Sequence, residues 1–176
     1  DKVLEIGCGW GGFSCFLAKK FSADVTAITI SKKQYEKVKE KVYKEKLTEK
    51  VNVKLTDYRE IKGLYDKIVS IEMFEAVGEK YWSKYFDVLG SNLKHNGAIG
   101  LQTITIEDKF FKKYRKFPDF IQTYIFPGGM LPTKNILKTL ANRHYLKIQD
   151  EFYFSKDYAE TLKRWAANFE ECNDKL

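Results

Sequence analysis

Apolar positions in this chain follow two alternating rhythms. Residues 3–6 form a short apolar run, Val3-Leu-Glu-Ile6, that leads into four glycines within Gly7-Cys-Gly-Trp-Gly-Gly12. Phe13, Phe16, Leu17 and Phe21 then recur at helical spacing and predict a first amphipathic helix. Residues 25–30 read as a buried strand. Ser31 follows as a natural N-cap for a long helix whose inner face carries Tyr35, Val38 and Val42. Residues 51–55 alternate strictly, and residues 66–71 form a fourth strand. A helix is expected over 80–93, closed by a turn at Asn96-Gly97, then a fifth strand over 98–106. Residues 107–126 break the alternation with an aromatic, basic stretch. Pro127-Gly-Gly129 forces a turn, Pro132-Thr133 opens a helix, 145–154 reads as a sixth strand and 157–171 as a last helix.

Strands alternating with helices predict an α/β fold, a doubly wound and mostly parallel sheet with right-handed crossovers. The 176 residues suit one domain, spanning 1–176 with residues 107–132 as an aromatic insertion. The chain opens directly on a strand and stops where one more would be expected, so truncation at both ends is inferred. A hydrophobic content of 44% beside 31% charged residues describes a globular protein, and no apolar stretch is long enough to cross a bilayer. Three cysteines, Cys8, Cys15 and Cys172, lack metal-ligand spacing and suggest reduced thiols in a cytoplasmic setting. The two histidines sit in no motif, which argues against a metal site or a hydrolase triad. A net charge of +7 favours anionic partners such as phospholipid headgroups, nucleic acid or an acidic carrier protein, although much of the excess lies along one solvated helix.

A strand, a glycine turn and a helix let the backbone close on a nucleotide-like ligand. Polar residues collect at the other strand ends: Thr29, Ser31 and Gln34, then Asp57 and Tyr58, then residues 72–78. Strand two does not end on the acidic residue a dinucleotide reader would show, and there is no phosphate-loop Gly-Lys-Ser/Thr. A ligand with a ribose, an adenine and an amino-acid tail but no phosphate fits better, and S-adenosylmethionine is that ligand. Cys8 inside the turn reads as a small residue chosen for fit, not as a nucleophile.

Five stretches occur in order: Val3-Leu-Glu-Ile-Gly-Cys-Gly-Trp-Gly-Gly12, Ile28-Thr-Ile-Ser31 with Gln34, Asp57-Tyr-Arg59, Ser70-Ile-Glu-Met-Phe-Glu-Ala-Val-Gly78 and Tyr124-Ile-Phe-Pro-Gly-Gly129. Together they resemble the cyclopropane-fatty-acyl-phospholipid synthase family, with its mycolic acid cyclopropane synthases and fatty-acid C-methyltransferases. The resemblance implies a class I, Rossmann-like methyltransferase fold and S-adenosylmethionine as donor. It assigns Gly7, Gly9 and Gly11 to the methionine tail, with Glu5 supporting the turn. Thr29 and Gln34 are placed by the ribose, Tyr58 by the adenine, and Ile71 with Glu72 near the sulfonium; Cys8, Ile30, Ser31 and Asp57 complete the cofactor-binding set. It also implies an active-site bicarbonate, held in relatives by a glutamate matching Glu75 together with positions 102 and 104. Here those positions are Gln102, in place of histidine, and Ile104, which agrees. Ala76 replaces another histidine, and a tyrosine expected in the last helix falls near Trp165-Ala166, which leaves the bicarbonate site incomplete.

An alkene is a weak nucleophile, so the sulfonium methyl must be held in line with it at near-attack distance. Methyl transfer leaves a carbocation that water would quench, so the acyl chain must be enclosed. The aromatic residues between Phe110 and Phe126 suit a lid or channel wall, or else simple packing. Glu75 reads as an active-site acid or as a cap of the following helix, and Glu72 is equally divided between structural and functional roles. The expected enzyme modifies the double bond of an unsaturated fatty-acyl chain of a phospholipid, peripherally at an anionic inner-membrane surface. Alternatives are a small-molecule N-methyltransferase of the coclaurine type and a non-catalytic cofactor- or lipid-binding module. Nucleic-acid binding is the weakest reading, because no reader motif occurs.

Overall fold

The computed structural model describes residues 1–172. Five strands, β1 (Lys2–Ile6), β2 (Asp24–Thr29), β3 (Val51–Leu55), β4 (Tyr65–Ile71) and β5 (Leu93–Gln102), form one sheet in the order β3-β2-β1-β4-β5. All four pairings are parallel. The chain winds outward from β1 through β2 to β3, then crosses back to β4 and β5 on the other side. That reversal opens a crevice at the carboxyl end of β1. The helices are α1 (Gly12–Phe21), α2 (Lys32–Lys44), α3 (Phe74–Val77), α4 (Trp82–Asn92), α5 (Asp108–Lys116), α6 (Lys134–Arg143) and α7 (Ser155–Cys172).

Strand side chains point alternately to the two faces, so one strand feeds two cores. Val3, Val25, Ala27 and Val51 pack with Cys15, Ala18, Val38 and Val42 from α1 and α2. Leu4, Ile6, Ile28 and Ile68 pack on the other face with Tyr85, Leu89 and Leu140 from α4 and α6. Ser31 caps α2 as expected, its side chain accepting from the Gln34 N–H, and Thr133 caps α6 in the same way.

Three expectations are corrected. Residues 145–154 form no strand: among the described residues no strand pairs with them, and Tyr145 and Phe152 are largely exposed. Alternating residues make a strand only where a neighbouring ladder can take up their amides. The expected 80–93 helix begins at Trp82 after a single 3₁₀ turn, Glu79–Tyr81, and stops at Asn92. Asn96-Gly97 is not the turn before β5 but a bulge within it: Asn96 has φ 62°, and the register with β4 shifts between Tyr65 and Lys67.

The bulge presses Gly97 against its neighbours. A Cβ there would lie 2.7 Å from Leu93 Cδ1 and 2.9 Å from the Asp66 carbonyl oxygen, whereas one at Gly100 would meet nothing closer than 3.9 Å. Gly97→Ala is therefore expected to lose about 1–3 kcal/mol in urea unfolding, as overpacked sites do, while Gly100→Ala stays within about 0.5 kcal/mol of the wild type.

Candidate active site

The glycine turn closes the carboxyl end of β1 onto β2. The N–H groups of Gly7 and Cys8 both donate to the Ile28 carbonyl, at 3.0 and 2.9 Å, and Gly11 N–H donates to the Cys8 carbonyl. Gly11 has φ 74°, and a Cβ there would sit 2.7 Å from Val38 Cγ1, so its bareness lets α2 approach. Gly9 differs. With φ 52°, it has no atom within 4 Å of where its Cβ would be, so its backbone faces an open cradle. Cys8 points the other way: it is buried, and burial, reinforced by the charge of Glu5, pushes its thiol up to about 12. That thiol is no nucleophile near neutrality.

Glu5 lies beneath the turn on the α1 side of the sheet and is 4% exposed. The Ser14 hydroxyl donates to its Oε2. Burial outweighs that bond and lifts the carboxyl from 4.5 to about 7. Glu5 thus joins the turn to α1 from below and lines no open surface.

At the end of β2, the Thr29 hydroxyl donates to Gln34 Oε1 at 2.7 Å and accepts from the Ser31 N–H at 3.1 Å. Thr29, Ser31 and Gln34 therefore form one small network, with the Gln34 amide donors left for a further acceptor. Ile30 projects outward, 78% exposed. Past β3, Asp57 accepts from the Arg59 Nε and Nη2 atoms at 2.9 and 2.8 Å, and these bonds hold its carboxyl below the usual range. The Arg59 guanidinium also lies 5.3 Å from the centroid of the Tyr81 ring. Tyr58 is corrected in one respect: it is 8% exposed and packs edge-on against Tyr85, 5.1 Å between centroids, so little of its ring is left to cover an adenine.

Beyond β4 and β5 a second group assembles. Glu72, a non-glycine residue at φ 50°, sits in a strained conformation of the sort that collects at functional sites. Its N–H donates to the Gln102 carbonyl at 3.0 Å, and its Oε1 accepts from Gln102 Nε2 at 3.1 Å. Ile71 beside it is partly exposed. Glu75 Oε1 accepts from the Ile104 N–H, while its Oε2 is buried without a hydrogen-bond partner among the described residues. The Glu75 carbonyl accepts from Met130 N–H at 2.9 Å, and a Cβ on Gly78 would come within 3.2 Å of the Gly128 carbonyl. Two motifs about fifty residues apart are thus packed backbone to backbone.

The structure adds one residue to this group. Tyr158 of α7 approaches both acids, and burial, then the charges of Glu72 and Glu75, push its hydroxyl up. Tyr158, not a residue near Trp165, is thus the α7 tyrosine that lies near Glu72 and Glu75. The helical period placed α7 correctly, but the path of residues 145–154 decides which of its turns reaches the site.

A parallel sheet of this order, with a glycine cradle at its switch point and no phosphate-loop lysine, has the Rossmann-like fold of S-adenosylmethionine-dependent methyltransferases. The family model for mycolic acid cyclopropane synthetase matches residues 1–176, and the chain belongs to that family. It is 36% identical over 175 residues to the tuberculostearic acid methyltransferase UfaA1 of Mycobacterium tuberculosis, covering 99% of this chain and 41% of that protein. It is likewise 36% identical over 168 residues to the cyclopropane-fatty-acyl-phospholipid synthase of Escherichia coli, covering 96% and 42%. Among solved structures, the mycolic acid cyclopropane synthase CmaA1 complexed with SAH and CTAB superimposes with a TM-score of 0.91 at 27% identity, over 99% of this chain and 64% of that one. The chain thus spans about two fifths of the length of these two sequence relatives.

Two outcomes follow from the donor end. Between pH 4.5 and about 7 an unfolded Glu5 ionises while the folded one keeps its proton, so stability falls as pH rises through that window and levels off above it. Glu5→Gln removes this dependence and is expected to gain up to about 3 kcal/mol at pH 8 relative to its effect at pH 4, measured by denaturant unfolding. Gly9→Ala leaves a folded protein at a cost of about 1–2 kcal/mol: its methyl meets open space, but φ 52° is left-handed backbone that alanine adopts only with strain. It is expected to weaken S-adenosylmethionine binding at least about tenfold in calorimetry, because that space is the cradle.

Proposed function

We propose that this chain carries the reacting centre of an enzyme that transfers a methyl or methylene group from S-adenosylmethionine to the double bond of an unsaturated fatty-acyl chain of a phospholipid. The observation that carries this reading is Glu75: one oxygen is fixed on the Ile104 N–H, and the other is buried and unpartnered beside Glu72, Gln102 and Tyr158. An acceptor oxygen in that state calls for a donor or a proton. Gly9 and the Gln34 amide suit the donor's amino-acid tail and ribose, and S-adenosylmethionine supplies an electrophilic methyl on a sulfonium. The Asp57–Arg59 pair borders the adenine end.

The reaction demands a dry, oriented acceptor. Residues 107–132 act as a lid or acyl-channel wall beside the carboxyl end of β5, with Phe111 turned inward onto Trp82 at 6.4 Å between centroids. A bicarbonate also fits: its hydroxyl would satisfy Glu75 Oε2, with Tyr158 and Gln102 alongside. Such an ion, when bound, supplies a proton acceptor near the reacting carbons. Glu75 orients that acceptor and the Glu72–Gln102 pair closes the ends of β4 and β5 behind it. No helix among the described residues is long and apolar enough to span a membrane, and the reading places the enzyme peripherally on the inner, anionic membrane surface.

The full-length protein, given methyl-labelled donor and unsaturated phospholipid vesicles, is expected to put label into acyl chains. Label recovered on a small amine, or no transfer at all, would sink the reading. Glu75→Gln is expected to lower kcat by at least about a hundredfold while donor affinity stays within about twofold.

A further inference from the structure

The reading above needs a way for a long apolar substrate to reach the site, and α5 offers one. Its inner face is anchored. Phe111 packs against Trp82, the Tyr114 hydroxyl accepts from the Leu131 N–H at 3.4 Å, and Arg115 pairs with Glu79 at 2.7 Å, one residue past the Glu75–Gly78 motif. At its start, Asn135 Nδ2 donates to Asp108 at 2.9 Å. The helix therefore stands in a fixed place beside the reacting centre.

Its outer face is different in kind. From Lys109 to Phe117 there are five cations and no acid. Lys112, Lys113 and Lys116 are exposed and have no carboxylate within ion-pair distance among the described residues. Phe110 and Phe117 are exposed at 51% and 61%; Lys109, which is paired with Glu107, and the unpaired Lys116 lie over their rings, 4.8 and 5.4 Å from the centroids. A groove of about 360 Å³ is lined by Phe111 and Arg115 of the anchored face together with Lys112 and Lys116 of the outer one. Immediately after it, the π-helical turn Ile121–Ile125 leaves Phe120, Ile121, Tyr124 and Ile125 half or more exposed.

Exposed rings beside unpaired cations are what an interfacial helix presents to a bilayer: the rings enter the acyl boundary and the lysines meet headgroup phosphates. A second copy of this chain would bring like charges together, and an acidic protein would leave the apolar half unused. We propose that α5 and the π-helical turn form the docking surface for an anionic phospholipid bilayer, with the α5 groove receiving a headgroup. This rests on the lipid reading of the active site and goes beyond it by naming the surface that meets the membrane. The lipid then enters beside Glu79 without leaving the interface.

The test is co-sedimentation of the full-length protein with phosphatidylcholine vesicles, with and without phosphatidylglycerol. Wild-type protein is expected to bind the anionic vesicles and to be released at high salt. Lys112→Gln/Lys113→Gln/Lys116→Gln is expected to lower partitioning by about a hundredfold, given roughly fivefold per near-surface lysine, and the charge-reversed Lys112→Glu/Lys113→Glu/Lys116→Glu by more. Both should keep wild-type S-adenosylmethionine binding. Reversing Lys33, Lys39 and Lys46, on and just after α2, applies the same charge change and is expected to leave partitioning near wild type. Unchanged binding by the α5 variants, or an equal loss in the α2 control, would overturn the surface assignment. Lack of methylation of dispersed lipid by a wild type that still binds vesicles would instead overturn the lipid reading and leave the surface standing.

Discussion

Phe74 is the fixed point of this molecule. It is fully buried, and its ring meets Trp82, Tyr85 and Phe86 at centroid distances of 5.7, 5.1 and 5.6 Å. Aromatic contacts of this kind contribute roughly 0.5–1.5 kcal/mol each beyond the area they bury. Tyr85 in turn packs on Tyr58 from the end of β3, and Trp82 on Phe111 of α5. One ring therefore connects the donor side, the acceptor side and the outer helix. Glu75 is the next residue in the chain, so its carboxylate inherits the rigidity of that cluster. A four-residue helix has little stability of its own, and α3 is held in place by packing, not by propensity.

The two ends of the cleft are built by contrasting means. At β1 and β2 the backbone does the work: glycines bring α1 and α2 close, and the polar side chains there bond mainly to one another. The one acid beneath, Glu5, keeps its proton through burial up to about pH 7, and the stability this costs is lost between pH 4.5 and that point. At β4 and β5 side chains take over. Glu72, Glu75, Gln102 and Tyr158 come from three separate stretches of chain, and their arrangement depends on a strained backbone at Glu72 and on the Pro-Gly-Gly segment lying against α3. The proposed reaction, which must discriminate a transient cation from its precursor, calls for such fixed polar groups.

Sequence patterning reached the first end far better than the second. The glycine turn, the non-acidic end of β2 and the cap at Ser31 are local features, readable from neighbouring residues, and the parallel sheet follows from strand–helix alternation. Tyr158 was missed because its role depends on the path of residues 145–154, which alternation alone read as a strand. Asn96-Gly97 was misread for a similar reason: the same dipeptide suits a turn or a bulge, and only the packing of Gly97 on Asp66 and Leu93 decides. Tyr58 looked like a ligand-covering ring at a strand end, but the Tyr85–Phe74 cluster claims it for the core.

The aromatic stretch after β5 was open to two readings, lid or packing, and the geometry divides it between them. Phe111 and Tyr114 are turned in and hold the helix to the body; Phe110, Phe117 and the residues of the π-helical turn are turned out. A π-helical turn widens the backbone and shifts the side chains that follow it, which is why such turns gather at working sites. Here it lies directly before Phe126 and the Pro-Gly-Gly segment, whose Gly129 closes on Phe126 and whose next residue, Met130, bonds to the Glu75 carbonyl. Force applied to Tyr124 or Ile125 would therefore reach the Glu75 backbone through fewer than ten residues of chain. In the proposed reaction, an apolar surface this close to Glu75 lets contact with lipid and alignment of its carboxylate be coupled through a single short segment.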